Sequence, residues 1–253
     1  MPFAVAGGHR IEYAWYGTAD GDAAPIVMLH EGLGSLALWR DFPQRLAEAA
    51  QRRTLAYSRF GYGNSDPLEG PRGVEFMHAE ALDALPGLLD ALGIERPALF
   101  GHSDGGSIAL IHAASAGRPV SAVIALAPHV FVEPYGLASI AAARRGYLDG
   151  DLRARLARYH ADVDSAFWGW NDIWLHRDFV AWSIEALLPG ISCPVLAIQG
   201  VDDQYGTMEQ IDRLKHAVRS MQRLDLADCG HSPHHDQPEA VLSAVQSFLG
   251  NLS

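Results

Sequence analysis

The stretch Gly101-His102-Ser103-Asp104-Gly105-Gly106 decides the reading of this 253-residue chain. It follows the short apolar run Pro97-Ala98-Leu99-Phe100 and precedes the helix-like Ser107-Ile108-Ala109-Leu110-Ile111-His112-Ala113-Ala114. Gly-x-Ser-x-Gly between a strand and a helix is the setting in which this short motif becomes informative. Its turn is so sharp that residues two before and two after the apex must be nearly free of side chain. Gly101 and Gly105 meet that demand with Ser103 at the apex. Placing Asp104 there would put His102 at the crowded position, so a carboxylate nucleophile is disfavoured. Ser103 is the candidate nucleophile.

Outward from this turn, apolar runs and helical patterns alternate. Strands are expected at 10–16, 25–30, 53–58, 97–100, 120–126, 194–198 and 222–226. Helices are expected at 38–50, 74–92 (kinked by Pro86) and after the 101–106 turn. Runs this apolar, separated by helices, imply a mostly parallel sheet covered on both faces. Residues 128–189 break the alternation and read as helices only, at 136–148, 151–161, 164–175 and 178–187. The segment carries four of the six tryptophans, Trp168, Trp170, Trp174 and Trp182. A helical insertion between two strands of a parallel sheet is the expected place for a lid over the strand ends. The division is therefore a core of 1–127 and 190–253 with an inserted lid of 128–189. Two or three of the tryptophans are expected to fasten the insertion. The others line a pocket, with Trp168, Trp170 and Trp174 as the candidates.

Composition bounds the partners. With 49% hydrophobic and 19% charged residues the chain is ordinary globular protein, and its net charge of −11 argues against a nucleic-acid partner. No stretch is long and apolar enough to span a bilayer, and Met1-Pro2-Phe3-Ala4-Val5 lacks the features of a signal peptide, so a cytoplasmic setting is expected. Cys193 and Cys229 are too few for a disulfide framework and read as small buried apolar residues.

A serine hydroxyl needs a base to take its proton and a third group to orient that base. Two later strand ends offer them. Gln199-Gly200-Val201-Asp202-Asp203-Gln204 bears two carboxylates, and Asp228-Cys229-Gly230-His231-Ser232-Pro233-His234-His235 bears three imidazoles. His234 and His235 lack a companion set with ligand spacing and read as helix-start or rim residues, not metal ligands. No metal or other cofactor is expected. His30 reads as a pin for its loop, and His102 as a packed core residue.

These motifs together resemble the α/β-hydrolase family over nearly the whole chain. His30-Glu31-Gly32-Leu33-Gly34-Ser35 resembles its His-Gly oxyanion loop, and Gly61-Tyr62-Gly63-Asn64-Ser65-Asp66 its G-x-G-x-S loop. Gly101–Gly106 resembles the nucleophile elbow, and Gly200-x-x-Asp203 and Gly230-His231 the acid and histidine turns. The order Ser, Asp, His is also the family's. The resemblance implies an α/β fold with a mostly parallel sheet and an inserted helical lid. It makes His231 the base and Asp203, in preference to Asp202, the group that orients it. The backbone amides of Gly32 and Asp104 become the oxyanion donors.

One departure stands out, because Glu31 occupies a position usually held by glycine. A carboxylate aimed at a developing oxyanion opposes catalysis, so Glu31 is expected to point elsewhere or the loop to differ. Glu31 and Asp104 together form a candidate site for a substrate ammonium group, and the elbow is also similar to that of valacyclovirase-like hydrolases, which cleave α-amino-acid esters. The competing reading is that both carboxylates bond to local backbone. The expected activity is hydrolysis of a small carboxylic ester without a cofactor. Hydrolysis of a carbon–carbon bond in a ring-fission product is the alternative, and a ligand sensor on the same fold is the more distant one.

Overall fold

The computed structural model describes residues 2–18 and 23–252. β1 (Phe3–Ala6) and β2 (His9–Tyr16) form an antiparallel hairpin turned by Gly7 and Gly8, both at positive φ. β3 (Ile26–Leu29), β4 (Thr54–Tyr57), β5 (Ala98–His102), β6 (Ala122–Leu126), β7 (Val195–Gly200) and β8 (Met221–Leu226) complete an eight-stranded sheet. The strand order is β1-β2-β4-β3-β5-β6-β7-β8. β2 runs antiparallel to β4, and every pairing from β4 through β8 is parallel.

The central strands are apolar throughout because both of their faces are covered. Val27, Leu29, Leu99, Val123, Ala125, Val195 and Ala197 belong to one buried cluster. Their alternates Ile26, Met28, Ala98, Phe100, Ile124, Leu196 and Ile198 belong to the other. This is the period-two alternation of a strand, hidden in the sequence because both sides select apolar residues.

Helices supply the two covers. α1 (Phe42–Ala50) packs through Phe42 and Leu46 into the second cluster. α2 (Phe76–Ala79), a π turn at Glu80–Ala84 and α3 (Leu85–Ala91) form one continuous rod whose Leu85, Leu88 and Leu89 enter the first cluster. Pro86 sits in the first turn of α3, and the π turn just before it accommodates the missing N–H, so the expected kink becomes a local change of pitch. α4 (Asp104–Ser115) follows β5 and buries Ile108, Leu110 and Ile111.

Between β6 and β7 lie α5 (Pro134–Asp149), α6 (Leu152–Leu156) and α7 (Val163–Trp174), the last capped by Asp162, which accepts the Ser165 N–H at 2.9 Å. The helix expected at 178–187 does not form. Arg177–Ala181 is a short 3-10 turn, after which the chain extends and Ser183 bridges to Phe131. The Val132 N–H donates to the Trp182 carbonyl at 3.2 Å and the Ile184 N–H to the Val130 carbonyl at 2.8 Å. These long-range bonds satisfy backbone groups that a helix would have satisfied locally, and they tie the end of the segment to its start. α8 (Glu209–Ala217), α9 (Pro233–Asp236) and α10 (Pro238–Gly250) complete the fold, α10 packing beside α1 through Val241, Val245 and Phe248. Cys193 and Cys229 are buried free thiols. Among the described residues no helix is long and apolar enough to cross a membrane.

Candidate active site

Ser103 stands between β5 and α4 with φ 54° and ψ −120°, a left-handed-side conformation that L-residues rarely hold. The glycines on either side permit it. A Cβ on Gly101 would run into the Gly105 carbonyl, and one on Gly105 into the Leu29 carbonyl. The turn therefore throws Ser103 Oγ out at the carboxyl edge of the sheet.

The loops after β7 and β8 leave the same edge and meet it. His231 Nε2 lies 2.9 Å from Ser103 Oγ, and His231 Nδ1 lies 2.9 Å from each carboxylate oxygen of Asp203. With the Nδ1 proton directed at Asp203, Nε2 is left as acceptor for the serine hydroxyl. Asp203 is buried, and its Oδ1 also accepts the Tyr205 N–H at 2.8 Å and the Gly206 N–H at 3.3 Å. Burial pushes its carboxyl up, but the hydrogen bond and charge of His231 with the Tyr205 amide bring it below its ordinary value. Asp202 is exposed, and its N–H donates to the Cys229 carbonyl at 3.0 Å. Gly200 makes the meeting possible, since a Cβ there would run into the Cys229 and Gly230 carbonyls.

The N–H groups of Gly32 and Asp104 meet no hydrogen-bond acceptor among the described residues, as an oxyanion site requires. The loop bearing Gly32 is laced to the one after β4. His30 Nε2 accepts the Arg59 N–H at 3.0 Å, Ser58 Oγ accepts the Leu36 N–H at 2.8 Å, and His160 Nδ1 accepts the Gly63 N–H at 3.0 Å. His160 Nε2 then donates to the Leu33 carbonyl at 3.0 Å. Glu31 does turn aside: its Oε2 lies 3.5 Å from His102 Nδ1. Burial alone would raise its carboxyl, yet the neighbouring His102 imidazole holds it well below the usual range. His102 is buried and donates from Nε2 to the His231 carbonyl at 2.7 Å.

Asp104 is also buried. One of its oxygens accepts the Trp174 indole N–H at 3.2 Å and the other has no partner among the described residues. Burial raises its carboxyl above the ordinary value against the opposing pull of Arg59 and Arg72. Neither acidic side chain bonds to local backbone, and both line the cavity over Ser103.

That cavity measures about 340 Å³. Trp170 and Trp174 of α7, Ile140 of α5, Arg155 of α6 and His129 line it from the 128–189 side, and Tyr205 lines it from the loop after β7. The Trp170 indole lies so close to Gly32 that a Cβ there would strike it. Trp168 does not reach the cavity, contrary to expectation. Its ring packs edge-on to Tyr147, with the Arg144 guanidinium 5.0 Å above it. Trp182 stacks on Phe179 as a fastening residue. A larger, mostly apolar cavity of about 470 Å³ lies between the β1–β2 hairpin and the π turn, but no serine, threonine or cysteine lines it.

His129 is the site residue that the sequence reading missed. Its Nε2 lies 3.4 Å from Ser103 Oγ, and its ring meets Trp174 edge-on at 4.9 Å. Ser107 Oγ holds both of its backbone groups, accepting the N–H at 3.0 Å and donating to the carbonyl at 2.7 Å. Burial, then the charge of His231, holds the imidazole down to about 3, so it is neutral at ordinary pH. The available signal was its place three residues past the end of a strand whose neighbour carries the nucleophile.

Comparison with known proteins follows the same lines. The chain is 28% identical over 265 residues to 2-hydroxymuconate semialdehyde hydrolase of Pseudomonas sp. (strain CF600), covering 91% of this chain and 88% of that protein. It is 30% identical over 248 residues to the putative carbamate hydrolase RutD of Stutzerimonas stutzeri (strain A1501), covering 88% and 89%. In fold it is similar to the enol-lactonase from Burkholderia xenovorans LB400, with a TM-score of 0.77, 23% identity and coverage of 98% and 100%. The sequence model of the alpha/beta hydrolase fold matches residues 24–173, more than half of the chain, which therefore belongs to the alpha/beta hydrolase fold family.

Proposed function

We propose that the protein is a serine hydrolase that cleaves a small carboxylic ester without a cofactor. The observation that carries this reading is the unbroken series Ser103–His231–Asp203, with 2.9 Å at each step, opening on a cavity beside two unengaged amides. Ser103 Oγ attacks the ester carbonyl as His231 Nε2 takes its proton, and Asp203 holds the resulting imidazolium in place. The Gly32 and Asp104 amides receive the oxyanion. His231 then protonates the leaving alkoxide, and water activated by the same imidazole releases the acyl group from Ser103.

Residues 128–189 act as the lid, with Trp170, Trp174 and Ile140 excluding water from the bond being broken. The volume of about 340 Å³ suits an ester of modest size. Of the two carboxylates in the wall, Glu31 is engaged by His102 and Asp104 is backed by Arg59 and Arg72. That balance favours a neutral acyl group. The unpartnered Asp104 Oδ2 is the atom that would receive an ammonium group in an amino-acid ester.

Carbon–carbon bond hydrolysis is the second reading, supported by likeness to the 2-hydroxymuconate semialdehyde hydrolase along almost all of both chains. One experiment separates the two. The purified protein is treated with a fluorophosphonate probe and the adduct mapped, while p-nitrophenyl acetate, p-nitrophenyl butyrate and a coloured vinylogous 1,5-diketone are assayed beside it. Labelling of Ser103 with ester turnover, both lost in Ser103→Ala, is the expected result. Labelling with decay of the dienol and no ester turnover moves the assignment to the second reading. No labelling and no turnover overturns both.

A further inference from the structure

The peptide unit between Glu31 and Gly32 has two ends, and both are unusual. Its N–H, on Gly32, faces the Ser103 cavity without an acceptor. Its carbonyl, on Glu31, meets three donors: His30 Nδ1 at 2.7 Å, Arg59 Nη2 at 3.0 Å and the Gly34 N–H at 3.1 Å. The His30 tautomer follows from the network. Its Nε2 accepts the Arg59 N–H at 3.0 Å, so Nδ1 carries the proton and donates. Burial, then Arg59, holds this imidazole neutral.

Arg59 is the costly member of the three. It is fully buried, and its Nε and Nη1 have no hydrogen-bond partner among the described residues. Among the described residues no carboxylate makes a direct ion pair with it, although Asp104 and Glu80 act on it through space. A buried guanidinium with a single hydrogen bond from its head is a poor stabilising device by itself. Its one bond ends on the peptide that offers the free N–H to the cavity. Its ring neighbour, Tyr62, lies 4.8 Å from the guanidinium carbon and covers it from the other side.

Resting on the serine-hydrolase reading, we propose that Arg59 is a positioning residue for the oxyanion site, orienting and polarising the Glu31–Gly32 peptide so that its N–H is a stronger donor to the developing oxyanion. A donor on the carbonyl end of a peptide strengthens the hydrogen bond given by its N–H end, and a positive charge held there adds to the field at the oxyanion. The effect is confined to the state in which charge has built up on the substrate oxygen. Substrate binding therefore stays nearly unchanged while the chemical step slows on removal. The same lock explains how glutamate is tolerated at residue 31: the backbone is held through its carbonyl, independently of its side chain.

The test uses Arg59→Met, Arg59→Gln and Arg59→Lys in the full chain, with folding checked by thermal melting. Three quantities are read: kcat and KM on p-nitrophenyl butyrate, and the second-order rate of phosphonylation of Ser103 by a fluorophosphonate. Arg59→Met is expected to lower kcat and the phosphonylation rate about tenfold or more, with KM within about twofold. Arg59→Lys keeps the charge and should recover most of both rates, and Arg59→Gln should fall between. If Arg59→Met does not fold, the order of Gln below Lys carries the same test. A folded Met variant with unchanged rates, a loss lying wholly in KM, or Lys no better than Gln overturns the proposal. A wild-type protein that is neither labelled nor active overturns the serine-hydrolase reading beneath it instead.

Discussion

Asp202 and Asp203 are adjacent in sequence yet differ in every physical respect that matters to a base-orienting group. Asp203 is 3% exposed, contacts His231 through both oxygens and accepts two backbone N–H groups, while Asp202 lies out in solvent. Asp203→Asn is therefore expected to lower kcat by about three to four orders of magnitude, because an amide in that place stabilises the wrong imidazole tautomer. Asp202→Asn should leave kcat within about twofold, since surface changes away from such contacts have small effects. Steady-state rates on one ester, with melting curves to confirm folding, decide it; equal losses would remove Asp203 from the role. The glycine three residues earlier made this carboxylate legible in the sequence through the family resemblance. His129 was not legible in the same way. It follows Pro128 in an irregular connection, no sequence motif ties it to Ser103, and only the parallel pairing of β5 with β6 brings its ring to the hydroxyl.

At the scale of elements, the sequence is most readable where one residue type is forced by the turn itself. The β5–α4 elbow and the loop after β7 belong to this group, because close backbone approach leaves room for no side chain at Gly101, Gly105 and Gly200. Other elements depend on partners far along the chain. β1, Phe3–Ala6, is too short for a period and exists because β2 pairs with it. Residues 178–187 look helical by composition, yet their carbonyls and amides are used by residues 130–132, so the long-range pairing wins. Tryptophan content marked α7 as important but not which side of it faces the site. Val163–Trp174 presents Trp170 and Trp174 inward, since residues four apart share a helix face, and Trp168 outward, since two residues before Trp170 is nearly the opposite side. Trp170 closes the cavity directly over Gly32. Trp170→Ala is expected to open that wall, moving the preference among p-nitrophenyl esters from short toward longer acyl chains. It should also destabilise the fold by about 3 kcal/mol, the lower end for loss of a buried tryptophan side chain. Relative kcat/KM across acetate, butyrate, hexanoate and octanoate reads the first effect and denaturant titration the second. An unchanged chain-length order would mean that the acyl group does not lie against α7.

Across the whole molecule, the two apolar layers of the sheet and the single edge at which its loops converge were implied by the alternation of apolar runs and helices. What composition could not convey is where the twelve histidines lie. His30, His112, His129, His160, His234 and His235 all have pKa values below the ordinary 6.5, with burial the first cause in each. Above that value both folded and unfolded chains hold these rings neutral, and their full stabilising difference is present. As pH falls below it, the unfolded chain takes up protons that the folded interior refuses, so the free energy of unfolding decreases. For His129, whose folded value is about 3, the cost is about 1.4 kcal/mol per pH unit down to that value. Asp203 acts in the same direction at lower pH, since its depressed carboxyl contributes stability above the usual carboxylate range that is lost as pH drops through its folded value. The molecule should thus begin to lose stability between about pH 6.5 and about pH 5, ahead of carboxylate protonation. His30 and His234, both at most 4% exposed, act in the same direction as His129. Urea unfolding from about pH 7.5 down to about pH 5 measures that slope. His129→Gln should flatten it by about 1.4 kcal/mol per unit, and His234→Gln should flatten it as well, whatever they do to stability at the upper end. A wild-type unfolding free energy that stays level across this window would mean that the buried rings accept protons in place, and the burial that holds His129 neutral beside Ser103 would have to be given up with it.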